Sequence, residues 1–350
     1  VGSVDNITDG LKIIQSSHPV VVILGVSNLE DGARDIQNIS NVSPHSAVFV
    51  STSEKNPDWI LRLMRSGAQE YLLKPIDNNE LVEALQKAGK LYIEKRQNIE
   101  SQVHGKLISV YNPIGGMGTT TIAVNLAAAL AQHDDKVALV DLNFFSGDAA
   151  VFLDLNPRYT LTSLTANVSR LDDSFLMSVM ARHSSGIYLL SEPLDVDETI
   201  EITPEQIHRI LSCLRRVFSY VVIDASGPLH GTNQVIFESS DHVIYNTILS
   251  LPTLKNANRY LSSMAKHGIA SHKIMLLVNR YLPRADIKVE DAEKILGQKV
   301  FMTIPNEYSD VMDSINKGQP LVNLYPRSSV SKAISNIAET FHSLSEKGRS

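Results

Sequence analysis

The chain has 350 residues, of which 43% are hydrophobic and 20% are charged, and this balance fits a globular protein of two domains. The net charge of −6 disfavours binding to DNA through phosphate contacts, so we expect no direct DNA binding. The single cysteine excludes an intrachain disulfide. Because no apolar run approaches the length of a membrane span and no signal-peptide pattern occurs, we expect a cytoplasmic protein without a transmembrane segment. The first residue, Val1, is the kind expected of a truncated N-terminus.

Residues 1–96 show apolar runs that alternate with helical patterns, which predicts a parallel sheet covered by helices. The predicted strands are Val20–Leu24, Ala47–Val50 and Glu70–Leu73, and the predicted helices include Ile7–Ser16, Trp59–Arg65 and Asn79–Glu94. The polar segment 97–105 lacks a core pattern, and we therefore predict that it is a linker.

The end of this first domain resembles the last part of response-regulator receiver domains. Ser51 lies at the end of the second predicted strand, and Lys74 and Pro75 follow the third. The resemblance implies a flavodoxin-like receiver fold, in which the lysine contacts a phosphorylated aspartate at the end of an earlier strand. Gly25 occupies that position here. We therefore predict a degenerate receiver that cannot be phosphorylated and that is retained as an interaction surface.

Residues 106–350 continue the same alternation over a greater length, which predicts a second α/β domain built on a parallel sheet. The predicted strands are Leu107–Tyr111, Val137–Asp141, Ile187–Leu190, Tyr220–Asp224, His242–Thr247, Lys273–Asn279 and Lys299–Ile304. An amphipathic pattern over Val330–Leu344 predicts a closing helix.

A glycine-rich loop separates the first of these strands from a helix predicted over Ile122–Ala131. Its residues are Gly115, Gly116, Met117, Gly118, Thr119, Thr120 and Thr121. In a strand–loop–helix context, backbone N–H groups and the positive helix end can bind phosphate, and the hydroxyl of Thr120 can bind Mg²⁺. The alternative is a glycine-rich turn that only joins the strand to the helix.

The loop resembles the deviant Walker A motif of the ParA/MinD superfamily, Lys-Gly-Gly-x-Gly-Lys-Thr-Thr. The resemblance implies a P-loop domain that binds ATP or ADP with Mg²⁺ and that forms a homodimer. Both lysines of the motif are absent, because Ile114 and Thr119 stand in their places. In the motif, the second lysine neutralises phosphate charge and the first reaches the partner's nucleotide. We therefore expect nucleotide binding with little or no hydrolysis.

Three further segments resemble the same superfamily. Asp141 matches the first carboxylate of its Asp-x-Asp strand end, whereas Asn143 replaces the carboxylate that would position the attacking water. Asp224 ends an apolar strand, like the Walker B aspartate that holds Mg²⁺ through water. Asn279 and Pro305 lie in segments similar to those that frame adenine. Taken alone, each has an ordinary alternative, such as a helix cap for an aspartate or a turn for Asn279.

Nearly the whole chain is similar to the TadZ/CpaE family, in which a degenerate receiver precedes a ParA/MinD-like domain. The similarity rests on GGMGTTTIAVNLA, on ALVDLNFFSGDAAVFLDL, and on LVNRY followed by TIPNEYSDVMDSINKGQPL. It implies a scaffold for tight-adherence type IV pili that acts with pilus assembly and secretion proteins, at a cell pole or at the inner-membrane face through partners. The alternative is an active ParA/MinD-type ATPase that positions DNA or other cargo.

Overall fold

The computed structural model describes residues 2–17, 19–43, 46–101, 105–133, 135–144, 147–193, 202–229 and 231–347. The chain divides into two compact units, Val1–Gln102 and Val103–Ser350. No helix in these described ranges is long and apolar enough to cross a membrane.

The first unit is a three-stranded parallel sheet with helices. Its strands are β1 (Val21–Gly25), β2 (Ala47–Thr52) and β3 (Glu70–Leu73), and its helices are α1 (Ile7–Ser17), α2 (Leu29–Val42), α3 (Pro57–Arg65) and α4 (Asn78–Ser101). The strands pair in the order β1-β2-β3, and β2 is buried along its whole length because it lies between the other two. The predicted α/β fold of this part is confirmed.

Helix α4 continues to Ser101 and so includes most of the segment 97–105 that we predicted as a linker. The physical reason is local: no proline or glycine lies between Gly89 and Gly105, and the intervening residues include several good helix formers. Residues 102–104 of the predicted linker lie outside the described residues.

The second unit contains one larger sheet. Its strands are β4 (Lys106–Asn112), β5 (Val137–Leu142), β6 (Ala181–Arg182), β7 (Tyr188–Leu190), β8 (Tyr220–Ser226), β9 (His242–Thr247), β10 (Ile274–Tyr281) and β11 (Val300–Pro305). They pair in the order β11-β10-β9-β4-β8-β5-β7-β6, and every pair is parallel except β6–β7. The predicted P-loop α/β fold is confirmed, and the antiparallel edge strand β6 was not predicted because it has only two residues.

Helices cover both faces of this sheet, and each face has its own apolar core. The helices are α5 (Thr119–Ala131), α6 (Ala149–Phe152), α7 (Leu161–Thr165), α8 (Asp173–Val179), α9 (Pro204–Val217), α10 (Thr232–Ser239), α11 (Leu251–Lys266), α12 (Val289–Leu296), α13 (Tyr308–Asn316), α14 (Leu321–Leu324) and α15 (Ser329–Lys347). Helix α5 is buried continuously from Ile122 to Leu130. This burial fixes the N-terminus of α5 against the sheet.

Strand β4 lies at the centre of the larger sheet, with β8 on one side and β9 on the other. The strand order therefore reverses at β4. In open parallel sheets, ligands bind at the carboxyl ends of the strands beside such a reversal. The glycine-rich loop follows β4 directly and so lies at that point.

Candidate nucleotide site

The loop between β4 and α5 needs glycine at two positions for its backbone conformation. Gly116 has φ of 80° and Gly118 has φ of 83°, in the left-handed region that residues with a Cβ rarely adopt. A Cβ on Gly118 would also lie 2.5 Å from Nδ2 of Asn279, whereas a Cβ on Gly115 would meet nothing within 4 Å. The loop is therefore shaped by close approach at Gly118 and is open at Gly115.

Side chains from two neighbouring strands hold the outer edge of the loop. The Nδ2 groups of Asn246 and Asn279 donate hydrogen bonds to the carbonyl oxygen of Met117, at 2.9 and 2.8 Å. The guanidinium of Arg280 donates to the carbonyl oxygen of Gly116 at 3.0 Å. Two consecutive loop carbonyls are thus engaged from the carboxyl ends of β9 and β10.

Two aspartates lie beside the start of α5. Asp224 and Asp141 are neighbours in register on β8 and β5, and both are fully buried. The hydroxyl of Thr120 donates to Oδ2 of Asp224 at 2.6 Å. Asp141 accepts the backbone N–H groups of Asn143 and Ala149, each at 3.0 Å. The predicted residues Thr120, Asp141 and Asp224 therefore come together at one end of the sheet.

Burial raises the pKa of the Asp224 carboxyl to about 7; the Thr120 hydrogen bond opposes that rise, and the charges of Asp148 and Glu192 add to it. The pKa of Asp141 is also raised well above its ordinary value, chiefly by burial and then by the charges of Asp224 and Glu192. Burial and the neighbouring acidic groups thus disfavour the charged forms of both carboxyls, and a cation bound beside them would favour those forms.

The chemistry of these donors fits a divalent cation. Oδ1 of Asp224 and Oε2 of Glu192 are buried without a hydrogen-bond partner in the described part of the chain. Mg²⁺ prefers oxygen ligands and commonly uses one or two protein groups together with the phosphates of its substrate. Thr120 and Asp224 would hold such an ion. The ion would supply positive charge to the phosphates, while this chain supplies the oxygen atoms that place it.

No group of three or more His, Cys, Asp or Glu side chains among the described residues is arranged to hold a metal ion. Mg²⁺ usually keeps several waters and is held by one or two protein groups together with substrate phosphates, so a Mg²⁺ ion at Thr120 and Asp224 is expected to bind together with nucleotide.

Three positions that the motif uses for charge are neutral in the structure. Ile114 is 41% exposed at the open side of the loop, and the Thr119 hydroxyl accepts a hydrogen bond from Asn246 at 3.4 Å. The side-chain oxygen of Asn143 accepts a hydrogen bond from the hydroxyl of Ser226. An amide in this position cannot take a proton from water as a carboxylate could.

The remaining predicted residues lie close to the loop. Thr121 is in the first turn of α5, where its carbonyl accepts a hydrogen bond from Asn125 at 2.8 Å. Pro305 ends β11 beside Tyr281, so the two segments predicted to frame adenine are neighbours. Asn279 uses both ends of its amide within the protein, because its Oδ1 accepts the N–H of Arg280 at 2.9 Å. Its contact with adenine stays a prediction.

Three residues of the site were not predicted from the sequence: Asn246, Arg280 and Glu192. Asn246 and Arg280 belong to the ends of β9 and β10, and Glu192 follows β7 closely. The sequence pattern that could have indicated these residues is a polar residue at the end of an apolar run. That signal is weak, because only the strand order shows which ends face the loop.

In the first unit, the receiver positions also come together. Gly25 ends β1 and is the register partner of Ser51 on β2. A Cβ added to Gly25 would lie 3.9 Å from the amine of Lys74. The peptide bond between Lys74 and Pro75 is cis. The lysine is thus placed beside the acceptor position, but that position carries no carboxylate.

Two family models match the chain. The response regulator receiver domain matches residues 1–86, and the AAA domain matches residues 105–267. These two matches fall within the two compact units.

Known proteins are similar to about two thirds of this chain. The septum site-determining protein MinD of Thermotoga maritima is 28% identical over 242 residues, which cover 67% of this chain and 87% of that protein. Crystallised ParA family ATPase from Chlorobium tepidum has a TM-score of 0.64 at 24% identity, over 67% of this chain and 98% of that one. MinD from Pyrococcus horikoshii, in a complex with Mg-ADP, has a TM-score of 0.60 at 22% identity. The match covers 69% of this chain and 97% of that one. The chain is therefore similar to receiver domains in its first unit, and its second unit has the fold of MinD and ParA family proteins.

Proposed function

We propose that this protein is a nucleotide-binding scaffold that localises and assembles tight-adherence pili, and that it hydrolyses ATP slowly or not at all. The observation that carries the proposal is a contrast within one site. The Thr120–Asp224 hydrogen bond and the glycine conformations that suit phosphate and Mg²⁺ are present. The side chains of Thr119 and Asn143 are neutral. The motif has a lysine and a carboxylate at these positions, which stabilise the phosphate charge and position the attacking water.

Binding of ATP or ADP with Mg²⁺ is supported by the loop and by the buried carboxylates. The backbone of Gly115–Thr121 offers N–H donors at the N-terminus of α5, where the helix dipole favours anions. Asp224 has an unpaired buried oxygen that a cation would satisfy. The similar MinD from Pyrococcus horikoshii was crystallised with Mg-ADP.

Slow hydrolysis follows from what the site lacks. Thr119 brings no positive charge to the β- and γ-phosphates, Ile114 cannot complete a partner's site, and Asn143 is not a carboxylate. Loss of one donor to a transition state costs about 10²–10³ in rate. Because these groups would act as a unit, their losses do not simply multiply.

The pilus role is supported by the resemblance of both halves of the chain to the TadZ/CpaE family and by the order of the two domains. A receiver without a phosphate acceptor is suited to binding partners. Nucleotide bound at a slow site would act as a structural ligand or a slow switch of a homodimer, and the pilus assembly proteins would bind to that dimer at a cell pole or membrane face.

Calorimetric titration with ATP and ADP, with and without Mg²⁺, tests the proposed nucleotide binding. Phosphate release measured on the same sample tests the proposed slow hydrolysis. We expect binding that needs Mg²⁺ and negligible release. Failure to bind either nucleotide, or steady turnover at the rate of an active ATPase, would refute it. Loss of surface pili and of pilus-protein co-purification after gene deletion tests the pilus part.

An active ParA/MinD-type ATPase is the second candidate, because MinD of Thermotoga maritima is 28% identical over most of its length. That function predicts phosphate release that increases with DNA, lipid vesicles or a partner protein. Release that stays negligible with each of these would exclude it.

A further inference from the structure

Arg280 has a backbone conformation that its residue type does not favour. Its φ is 51°, in the left-handed region that Gly and Asn adopt more readily than Arg. Two hydrogen bonds accompany this conformation: the Arg280 N–H donates to Oδ1 of Asn279 at 2.9 Å, and the guanidinium donates to the Gly116 carbonyl at 3.0 Å. Backbone strain of this kind persists where the surrounding structure maintains it, commonly at binding sites.

The contact with Gly116 has a consequence for the next residue. In a planar trans peptide, the carbonyl of one residue and the N–H of the next point in opposite directions. Arg280 engages the Gly116 carbonyl, and Asn246 and Asn279 engage the Met117 carbonyl. The N–H groups of Met117 and Gly118 therefore point away from these side chains.

These two N–H groups donate no hydrogen bond within the described part of the chain. Successive backbone N–H groups that point to one side form a site for an anion. The outer bonds of the loop thus orient the inner donors before any ligand arrives.

Arg280 also places a positive charge beside a loop that has lost its own. Ile114 and Thr119 are neutral, and the guanidinium of Arg280 is exposed with no ion pair to a carboxylate among the residues described. Its charge is therefore available to a bound polyphosphate, at the distance set by the intervening loop.

We propose that Arg280 is the positioning residue for nucleotide binding in this protein. It fixes the Gly116–Met117 peptide so that the inner N–H donors face the phosphate chain, and it supplies the charge that the loop lacks. This inference rests on the proposed nucleotide binding and goes beyond it, because it assigns phosphate recognition to a residue outside the loop.

Titration of the full chain with AMP and ADP in Mg²⁺ tests the inference in Arg280→Gln, Arg280→Lys and Arg280→Gly. We expect Arg280→Gln to weaken ADP binding about tenfold and AMP binding much less, because the effect grows with phosphate charge. Arg280→Lys, which keeps a charged donor, should retain most of the affinity. Arg280→Gly relieves the positive φ, so it should fold well and still lose affinity for ADP.

Arg284→Gln is the matched control, since Arg284 is exposed four residues further on and has no recorded polar contact in the described ranges. It should bind both nucleotides as the unaltered chain does. Equal losses for AMP and ADP, or unchanged ADP binding in Arg280→Gln and Arg280→Gly, would overturn the inference alone. An unaltered chain that binds neither nucleotide would refute the proposed function, and this inference would fall with it.

Discussion

Single side chains determine whether this site can bind nucleotide and whether it can hydrolyse it. Thr120 and Asp224 provide oxygen atoms for a cation, and their 2.6 Å hydrogen bond shows that these atoms already lie together. Thr119 is next to Thr120 in the same turn but contributes only a neutral hydroxyl. Binding and hydrolysis therefore depend on different residues, and substitutions can separate them.

Thr119→Lys should tighten binding of ATP more than it restores turnover. The new cation would reach the β- and γ-phosphates, while Ile114 and Asn143 would still be neutral. The change removes only a 3.4 Å contact with Asn246, so the fold should tolerate it. Binding isotherms and phosphate release measure the two effects.

Thr119→Met, which adds length without charge, is the control and should not tighten binding. Phosphate release should become substantial only when Thr119→Lys is combined with Ile114→Lys and Asn143→Asp. The prediction fails if Thr119→Lys alone releases phosphate as fast as the combined variant.

The first domain should not be phosphorylated by acetyl phosphate, because Gly25 provides no acceptor oxygen beside Lys74. Intact mass measurement and peptide mapping check this. Gly25→Asp restores a carboxylate beside Lys74 and tests whether the missing acceptor alone prevents phosphorylation. A stoichiometric phosphate on residues 1–96 of the unaltered chain would contradict the prediction.

At the scale of elements, parallel strands were predictable because they appear as continuous apolar runs. The run Val20–Leu24 became β1, and Val137–Asp141 became β5, each within one residue at its ends. Helices of four or five residues, such as α6 and α14, carry too little periodicity to be recognised. The extension of α4 beyond Glu94 was not predicted because the sequence that follows is mostly polar and shows no core pattern.

The same limit applies to the site. The loop was predictable because its residues are contiguous and lie between a strand and a helix. Asn246 and Arg280 reach the loop from strands far along the chain, through a sheet order that no local pattern specifies. The hydrogen bonds that Asn246 and Arg280 donate to the loop carbonyls could therefore be identified only from the structure.

The junction of β4 and α5 gives a prediction about one glycine. Gly118→Ala should destabilise the second unit by about 1–2 kcal/mol, because alanine is strained at positive φ and its Cβ would lie 2.5 Å from Nδ2 of Asn279. It should also abolish nucleotide binding, since the loop would shift. Urea unfolding and titration measure the two effects.

Gly115→Ala is the matched control in the same loop. A Cβ there meets nothing within 4 Å, and its φ is not in the left-handed region. Its unfolding free energy should stay within about 0.5 kcal/mol of the unaltered chain. Equal destabilisation by the two substitutions would contradict the role assigned to Gly118.

At the scale of the whole molecule, the first unit keeps a receiver fold while its acceptor position is a glycine. Among the described strands, β1 pairs only with β2, and Ile23 on β1 is 48% exposed. An uncharged strand edge with exposed apolar side chains is a surface that proteins commonly pair or cover. The first unit is therefore the part we expect to contribute to oligomer formation.

Removal of residues 1–96 should lower the number of chains per particle, obtained by dividing the light-scattering mass by the mass of one chain. Ile23→Lys in the full chain should lower it as well, because a charge on the edge of β1 opposes strand pairing. Lys12→Gln, an exposed change on α1, is the control and should leave the mass unchanged. An unchanged number of chains per particle after the deletion would count against the proposed role of the first unit.

The central position of β4 has a consequence for the order in which the protein can fold as it is synthesised. The strands of the first unit pair in the order in which they leave the ribosome, so that sheet can close as soon as β3 emerges. Strand β4 instead finds its partners only at Tyr220 and His242. The phosphate loop is therefore made early, and its apolar strand stays unpaired until β8 and β9, the fifth and sixth of the eight strands in this sheet, have been translated. Chaperone dependence during synthesis should accordingly fall on the second unit and not on the first.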